Sequence, residues 1–116
     1  MDYHYISTDA ELSAMLRACR DQPVLAVDTE FARFNTYYPM VGLLQIGIGT
    51  ANYLVDPLTI EHLEGLRELM THEATLKVLH SGSEDMEVFQ HWLGGVPTPV
   101  FDSQIAAAMV GAGYAL

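Results

Sequence analysis

A chain of 116 residues, half of them apolar, buries roughly two-thirds of its unfolded surface on folding, which points to one globular domain and leaves little room for two. Its formal charge of −10, from 15 acidic residues against Arg17, Arg20, Arg33, Arg67 and Lys77, has the wrong sign for a simple phosphate-binding surface and suits a partner that is a cation, provided some acids converge. No apolar run approaches the ~18 residues of a membrane span, no leader pattern opens the chain, and the single cysteine, Cys19, cannot pair internally, so a cytoplasmic chain without a membrane partner is expected.

Short β-branched runs alternate with stretches of helical period, the pattern of an α/β fold. Tyr3 to Ile6 reads as a first strand. Thr8 and Glu11 form a capping-box signature ahead of a helix whose Leu12, Met15, Leu16 and Cys19 share one face, and Asp21 to Pro23 ends it. Val24 to Thr29 reads as a strand apolar on both faces at its start, as in the buried centre of a sheet. Residues 33–40 form a loop. Gly42 to Gly49 and Ala51 to Val55 are strands close enough for a hairpin, so three sequential antiparallel strands are expected. Ile60, Leu63, Leu66, Leu69 and Met70 mark a second helix, Leu76 to Leu79 a strand, Glu84 to Leu93 a third helix and Val100–Phe101 a last strand. From Ser103 the chain reads as a further helix, and Ile105 to Leu116 carries no charged residue and no stop signal. Such an end suggests C-terminal truncation.

Chemistry concentrates in Val27-Asp28-Thr29-Glu30-Phe31. Asp28 and Glu30 lie two apart, so on a strand both carboxylates leave the same face while Thr29 points away. Near an apolar core two such charges suffer desolvation and mutual repulsion, which protonation of one or a cation between them relieves. Oxygen-only ligation suits Mg²⁺ or Mn²⁺, and no Cys or His is spaced for zinc. An isolated Asp-x-Glu more often marks a strand end reaching solvent. A third acid, Asp85, falls in the first turn of the third helix, a place where acids ordinarily complement the helix dipole.

Taken together, three spaced stretches resemble the ribonuclease D family of the exonuclease superfamily that is named for three Asp and one Glu. They are Val27-Asp28-Thr29-Glu30-Phe31 with Arg33, Thr36-Tyr37-Tyr38-Pro39 and Gly42-Leu43-Leu44-Gln45-Ile46; His80-Ser81-Gly82-Ser83-Glu84-Asp85 to Phe89; and Asp102-Ser103-Gln104-Ile105. The resemblance implies a ribonuclease H-like exonuclease fold, a mixed sheet flanked by helices, of which residues 1–116 are a partial domain. It implies a 3′–5′ exoribonuclease that releases nucleoside 5′-monophosphates from a 3′ hydroxyl end, with tRNA precursors among its substrates. It also implies two divalent ions, Mg²⁺ or Mn²⁺, as cofactors, with Asp28 expected to bridge both, Glu30 to bind the water-side ion and Asp85 the second, directly or through water. By the same resemblance Phe31 lies beside the terminal nucleotide. Tyr37 and Tyr38 are candidate stacking faces, Arg33 a candidate charge for a phosphate and His80 a candidate ring toward the substrate, although such residues more often serve as loop packing, a solvated loop Arg and a structural strand-end His.

The family's third motif, a Tyr followed four residues later by an Asp, is expected beyond residue 116, so the 116 residues alone are expected to be inactive and to self-associate through the face that later helices would cover. The alternative reading is a catalytically inactive metal-binding or RNA-binding fragment. A DNA proofreading exonuclease shares the carboxylates, but the Thr36 to Gln45 stretch resembles ribonuclease D specifically.

Overall fold

The computed structural model of the chain describes residues 2–32, 40–79 and 82–102. In chain order its elements are β1 (Asp2–Ile6), α1 (Asp9–Arg20), β2 (Val24–Ala32), β3 (Met40–Gly47), β4 (Ala51–Val55), α2 (Glu64–Thr71), β5 (Leu76–Leu79), α3 (Gly82–Leu93) and β6 (Val100–Asp102). The helix expected from Ser103 lies outside the described residues.

Helix α1 starts where its sequence says it should. The Thr8 hydroxyl oxygen accepts the Glu11 N–H at 3.1 Å, a donor the helix itself leaves orphaned, and Glu11 Oε1 reaches back past the cap to take the Ser7 N–H at 3.1 Å. Asp9 and Glu11 in the first turn and Arg17 and Arg20 in the last complement the dipole. The face expected from periodicity, Leu12, Met15, Leu16 and Cys19, is buried.

Helix α2 begins at Glu64, not at Ile60 as the apolar spacing suggests. The N–H groups of Glu61 and His62 are held by Asp9 Oδ1 at 3.2 and 3.0 Å, which fastens the approach to α2 onto the start of α1 in a non-helical conformation. Ile60 is buried all the same.

The six described strands run in the order β1-β4-β3-β2-β5-β6. β3 is antiparallel to both β2 and β4, as the hairpin reading expects, while β1–β4, β2–β5 and β5–β6 are parallel. The β3–β4 turn closes with Ile48 N–H on the Ala51 carbonyl at 3.0 Å, and Gly49 there has φ +93°, a backbone state that glycine adopts without steric cost.

One core joins one face of the sheet to all three helices. Leu25 and Val27 of β2, Leu44 and Ile46 of β3, and Tyr53 and Val55 of β4 meet Leu12 and Met15 of α1, Leu66 and Met70 of α2, and Phe89 and Leu93 of α3. The expectation that β2 is buried on both faces at its start fails among the described residues. Leu25, Val27 and Thr29 are buried, whereas Val24, Ala26, Asp28 and Glu30 are exposed, because the described helices all add to the core on the other face. Lys77 sits inside that core with no exposure. Its ammonium donates to the His72 carbonyl at 2.6 Å and the Thr98 carbonyl at 2.9 Å.

Candidate active site

Because β1, β2, β4, β5 and β6 run the same way, their C-terminal ends gather at one edge of the sheet, the usual place for ligands in open α/β sheets. β2 is the strand that reaches furthest there. Its pairing with β5 covers Val24 to Ala26, while its pairing with β3 continues to Ala32. Asp28 and Glu30 therefore stand on a stretch that, among the described residues, has a ladder partner on the β3 side alone. Both are exposed and on one face, as the period-two spacing requires. Burial thus supplies none of the strain expected between them; their mutual repulsion across one strand remains.

The pairing register shifts between Glu30 and Phe31, where Glu30 faces Leu43 and Phe31 faces Val41, so Gly42 is the extra residue of a β-bulge. Bulges bend and twist a strand and re-aim its side chains, and they are common beside functional sites. Phe31 is placed on β2 by its backbone; its side chain lies outside what the structure describes. α3 begins at Gly82, just after β5 ends at Leu79, so its first turn, with Asp85, starts from the same end of the sheet as Asp28. The Asp85 side chain is outside the described set too. Arg33, Tyr37, Tyr38 and His80 also lie outside the described residues.

The exposed face carries a cleft of about 280 Å³ lined by Ala26, Val27, Asp28, Gln45, Gly47, Asn52, Val78 and Leu79. Its floor is low because it is made of small residues: a Cβ on Gly47 would come within 2.7 Å of Asn52 Oδ1 and 3.7 Å of the Ala26 Cβ. Gln45 and Asn52 are site residues that the one-dimensional reading did not single out. Gln45 stands inside a quoted motif, yet only the register with Asp28 reveals its place, and Asn52 has no local signal at all. Among the described residues that line it, none is cationic. Lys77 is committed to two backbone carbonyls in the core, and Arg67 reaches the Leu93 carbonyl at 3.4 Å, at the end of α3. The donor set facing the cleft, carboxylate and amide oxygens, fits a hard divalent cation.

Among the described residues one acid–imidazole group brings its ligand atoms within 4.8 Å of one another: Asp9, Glu61 and His62. It lies at the start of α1, on the β1–β4 side of the sheet, and not beside Asp28. With Asp9 Oδ1 already accepting two backbone N–H groups, it is a structural tie between α1 and the approach to α2.

Comparison with known proteins bears on this arrangement. A family model described as 3′–5′ exonuclease matches residues 3–114. Ribonuclease D of Pseudomonas paraeruginosa is 43% identical over 115 residues, covering 99% of this chain and 31% of the relative. Ribonuclease D of Escherichia coli is 43% identical over 111 residues, covering 96% and 30%. The crystal structure of Escherichia coli RNase D, described as an exoribonuclease involved in structured RNA processing, matches with a TM-score of 0.94 at 41% identity, over 100% of this chain and 31% of that one. Trypanosoma brucei RNase D in complex with RNA U12 matches at 20% identity with a TM-score of 0.80, over 90% of this chain and 38% of that one, a likeness of fold. The chain spans about three-tenths of the length of the curated relatives named here.

Proposed function

We propose, from the premise that this chain belongs to the 3′–5′ exonuclease family and is an exonuclease domain of the ribonuclease D type, that it carries part of the metal site of a 3′–5′ exoribonuclease. The observation that carries this reading is the pair Asp28 and Glu30, exposed side by side on the open face of β2, with Asp28 lining a cleft that has no cationic residue among its described lining. A polyanionic substrate cannot approach bare carboxylates. Divalent ions reverse that sign locally, and this is how an acidic chain can serve a phosphodiester.

Asp28 is assigned as the bridging ligand of two ions, Glu30 as a ligand of one and Asp85 as a ligand of the other, with Mg²⁺ or Mn²⁺ as the ions. When bound, these ions supply the Lewis acidity that activates a water and stabilises a leaving 3′ oxygen. Phe31 is assigned to stack on the terminal base, Arg33 to meet a phosphate, and Tyr37, Tyr38 and His80 to flank the single-stranded 3′ end of RNA. Structured RNA precursors, tRNA included, are the proposed substrates, and the cytoplasm the proposed compartment. No helix among the described residues is long and apolar enough to cross a membrane.

After Asp85 the 116 residues hold no Tyr with an Asp four positions on. These residues by themselves are therefore expected to bind Mn²⁺ but to trim RNA negligibly. Calorimetric titration with Mn²⁺ and stepwise shortening of a 5′-labelled RNA with a free 3′ hydroxyl test both halves. The expected result is Mn²⁺ binding that Asp28→Ala abolishes, with no shortening above an EDTA control. Absence of Mn²⁺ binding, or RNA shortening that survives Asp28→Ala, would refute the assignment.

A further inference from the structure

The β2–β3 register sets Gln45 directly across from Asp28. Directly opposed residues send their side chains out of the same face of the sheet, with Cβ atoms roughly 4.5–5.5 Å apart. Gln45 is half-buried, lines the cleft together with Asp28, and its amide has no hydrogen bond to a described residue. The residue across from Glu30 is instead Leu43, which offers nothing polar. Of the two carboxylates, then, Asp28 alone has an amide as its cross-strand neighbour.

The chemistry of that neighbour is specific. A Lys or Arg opposite Asp28 would neutralise it and compete with a cation, and an acid would add to the repulsion. An amide can donate to one carboxylate oxygen while leaving its charge for a metal. Ligating carboxylates are commonly held in this way by a second layer of hydrogen bonds, which sets their orientation.

We propose that Gln45 is a positioning residue for Asp28: the two side chains make no hydrogen bond as the structure stands, and when a divalent cation sits on Asp28 the uncommitted Gln45 amide turns to donate an N–H to the carboxylate and holds it toward the ion. This rests on the metal-site reading above, and the two are separable by experiment.

The test is Mn²⁺ titration calorimetry on wild type, Gln45→Met, Gln45→Ala and Asp28→Ala, with thermal unfolding of each in EDTA. Gln45→Met keeps the volume and removes the donor. The expected result is a 10- to 100-fold weaker Mn²⁺ affinity, the usual range for loss of such a partner (roughly 10–100-fold), with the EDTA unfolding midpoint unchanged. Gln45→Ala repeats the loss should Met pack poorly. Wild-type affinity in both Gln45 variants, with binding lost in Asp28→Ala, would overturn the role of Gln45 and leave the metal site standing. An affinity loss that tracks a lowered EDTA midpoint would likewise overturn it, as a structural effect. No Mn²⁺ binding by wild type would overturn both.

Discussion

Lys77 makes the stability of this fold rise with pH in a range where most proteins lose stability. The ammonium has no exposure and is met by two neutral carbonyls, those of His72 and Thr98. Burial lowers its pKa from the ordinary 10.5 to about 8. Between those values the folded chain binds fewer protons than the unfolded one, so raising the pH stabilises the fold. The gain is absent well below pH 8 and complete above 10.5.

For these two pKa values linkage gives an increase of roughly 1 kcal/mol between pH 7.5 and 9. Cys19 opposes it at higher pH: burial raises its thiol from 9.0 to about 11, so its share of stability is lost as pH climbs from 9 toward 11. By pH 9 this takes back roughly 0.4 kcal/mol, equally in wild type and in a Lys77 variant, so the difference between the two from pH 7.5 to 9 reads Lys77 alone.

Lys77→Met removes the titration. It also leaves the Thr98 carbonyl without this donor, at a cost of up to about 1–3 kcal/mol, while the His72 carbonyl keeps the Thr75 N–H at 3.1 Å; the relief of no longer burying a charge opposes that cost. Urea unfolding of wild type and Lys77→Met at fixed ionic strength across this window should show the wild-type stability gaining roughly 1 kcal/mol on the variant. A difference between the two that stays constant with pH would refute the reasoning.

Three further outcomes are expected. Phe89→Ala, at a fully buried position of α3, should cost about 3–5 kcal/mol by calorimetry; a loss below 1 kcal/mol would mean that α3 does not dock as described. Thr8→Ala should cost about 1 kcal/mol in urea unfolding by removing the α1 cap, and Thr8→Ser should retain it. The face bearing Val24 and Phe101, 45% and 47% exposed among the described residues, should drive concentration-dependent self-association that Val24→Lys weakens. Light scattering from a monomer at every concentration would rule that out.

Much of this protein is legible in one dimension. The capping box at Thr8, the α1 face from Leu12 to Cys19 and the shared face of Asp28 and Glu30 follow from local periodicities and hydrogen-bonding chemistry, which need only neighbours in sequence. The second helix shows the limit of that method. Ile60 and Leu63 fit the helical period, but a carboxylate some fifty residues earlier, on Asp9, holds the intervening N–H groups in another conformation.

The rest was decided by tertiary structure, because long-range pairing leaves no local signature. Nothing in β1 announces that it lies parallel to β4 at the sheet edge. Lys77 alternates with Leu76 and Val78 like any strand residue, and only the paths of the connections near His72 and Thr98 bring two carbonyls to its ammonium. Gln45 acquires its relation to Asp28 from a ladder register that neither strand specifies alone. The sequence by itself determined which residues could bear charge toward a metal; the pairing of β2 with β3 determined what stands beside them, since a one-residue slip would turn every such side chain to the opposite face.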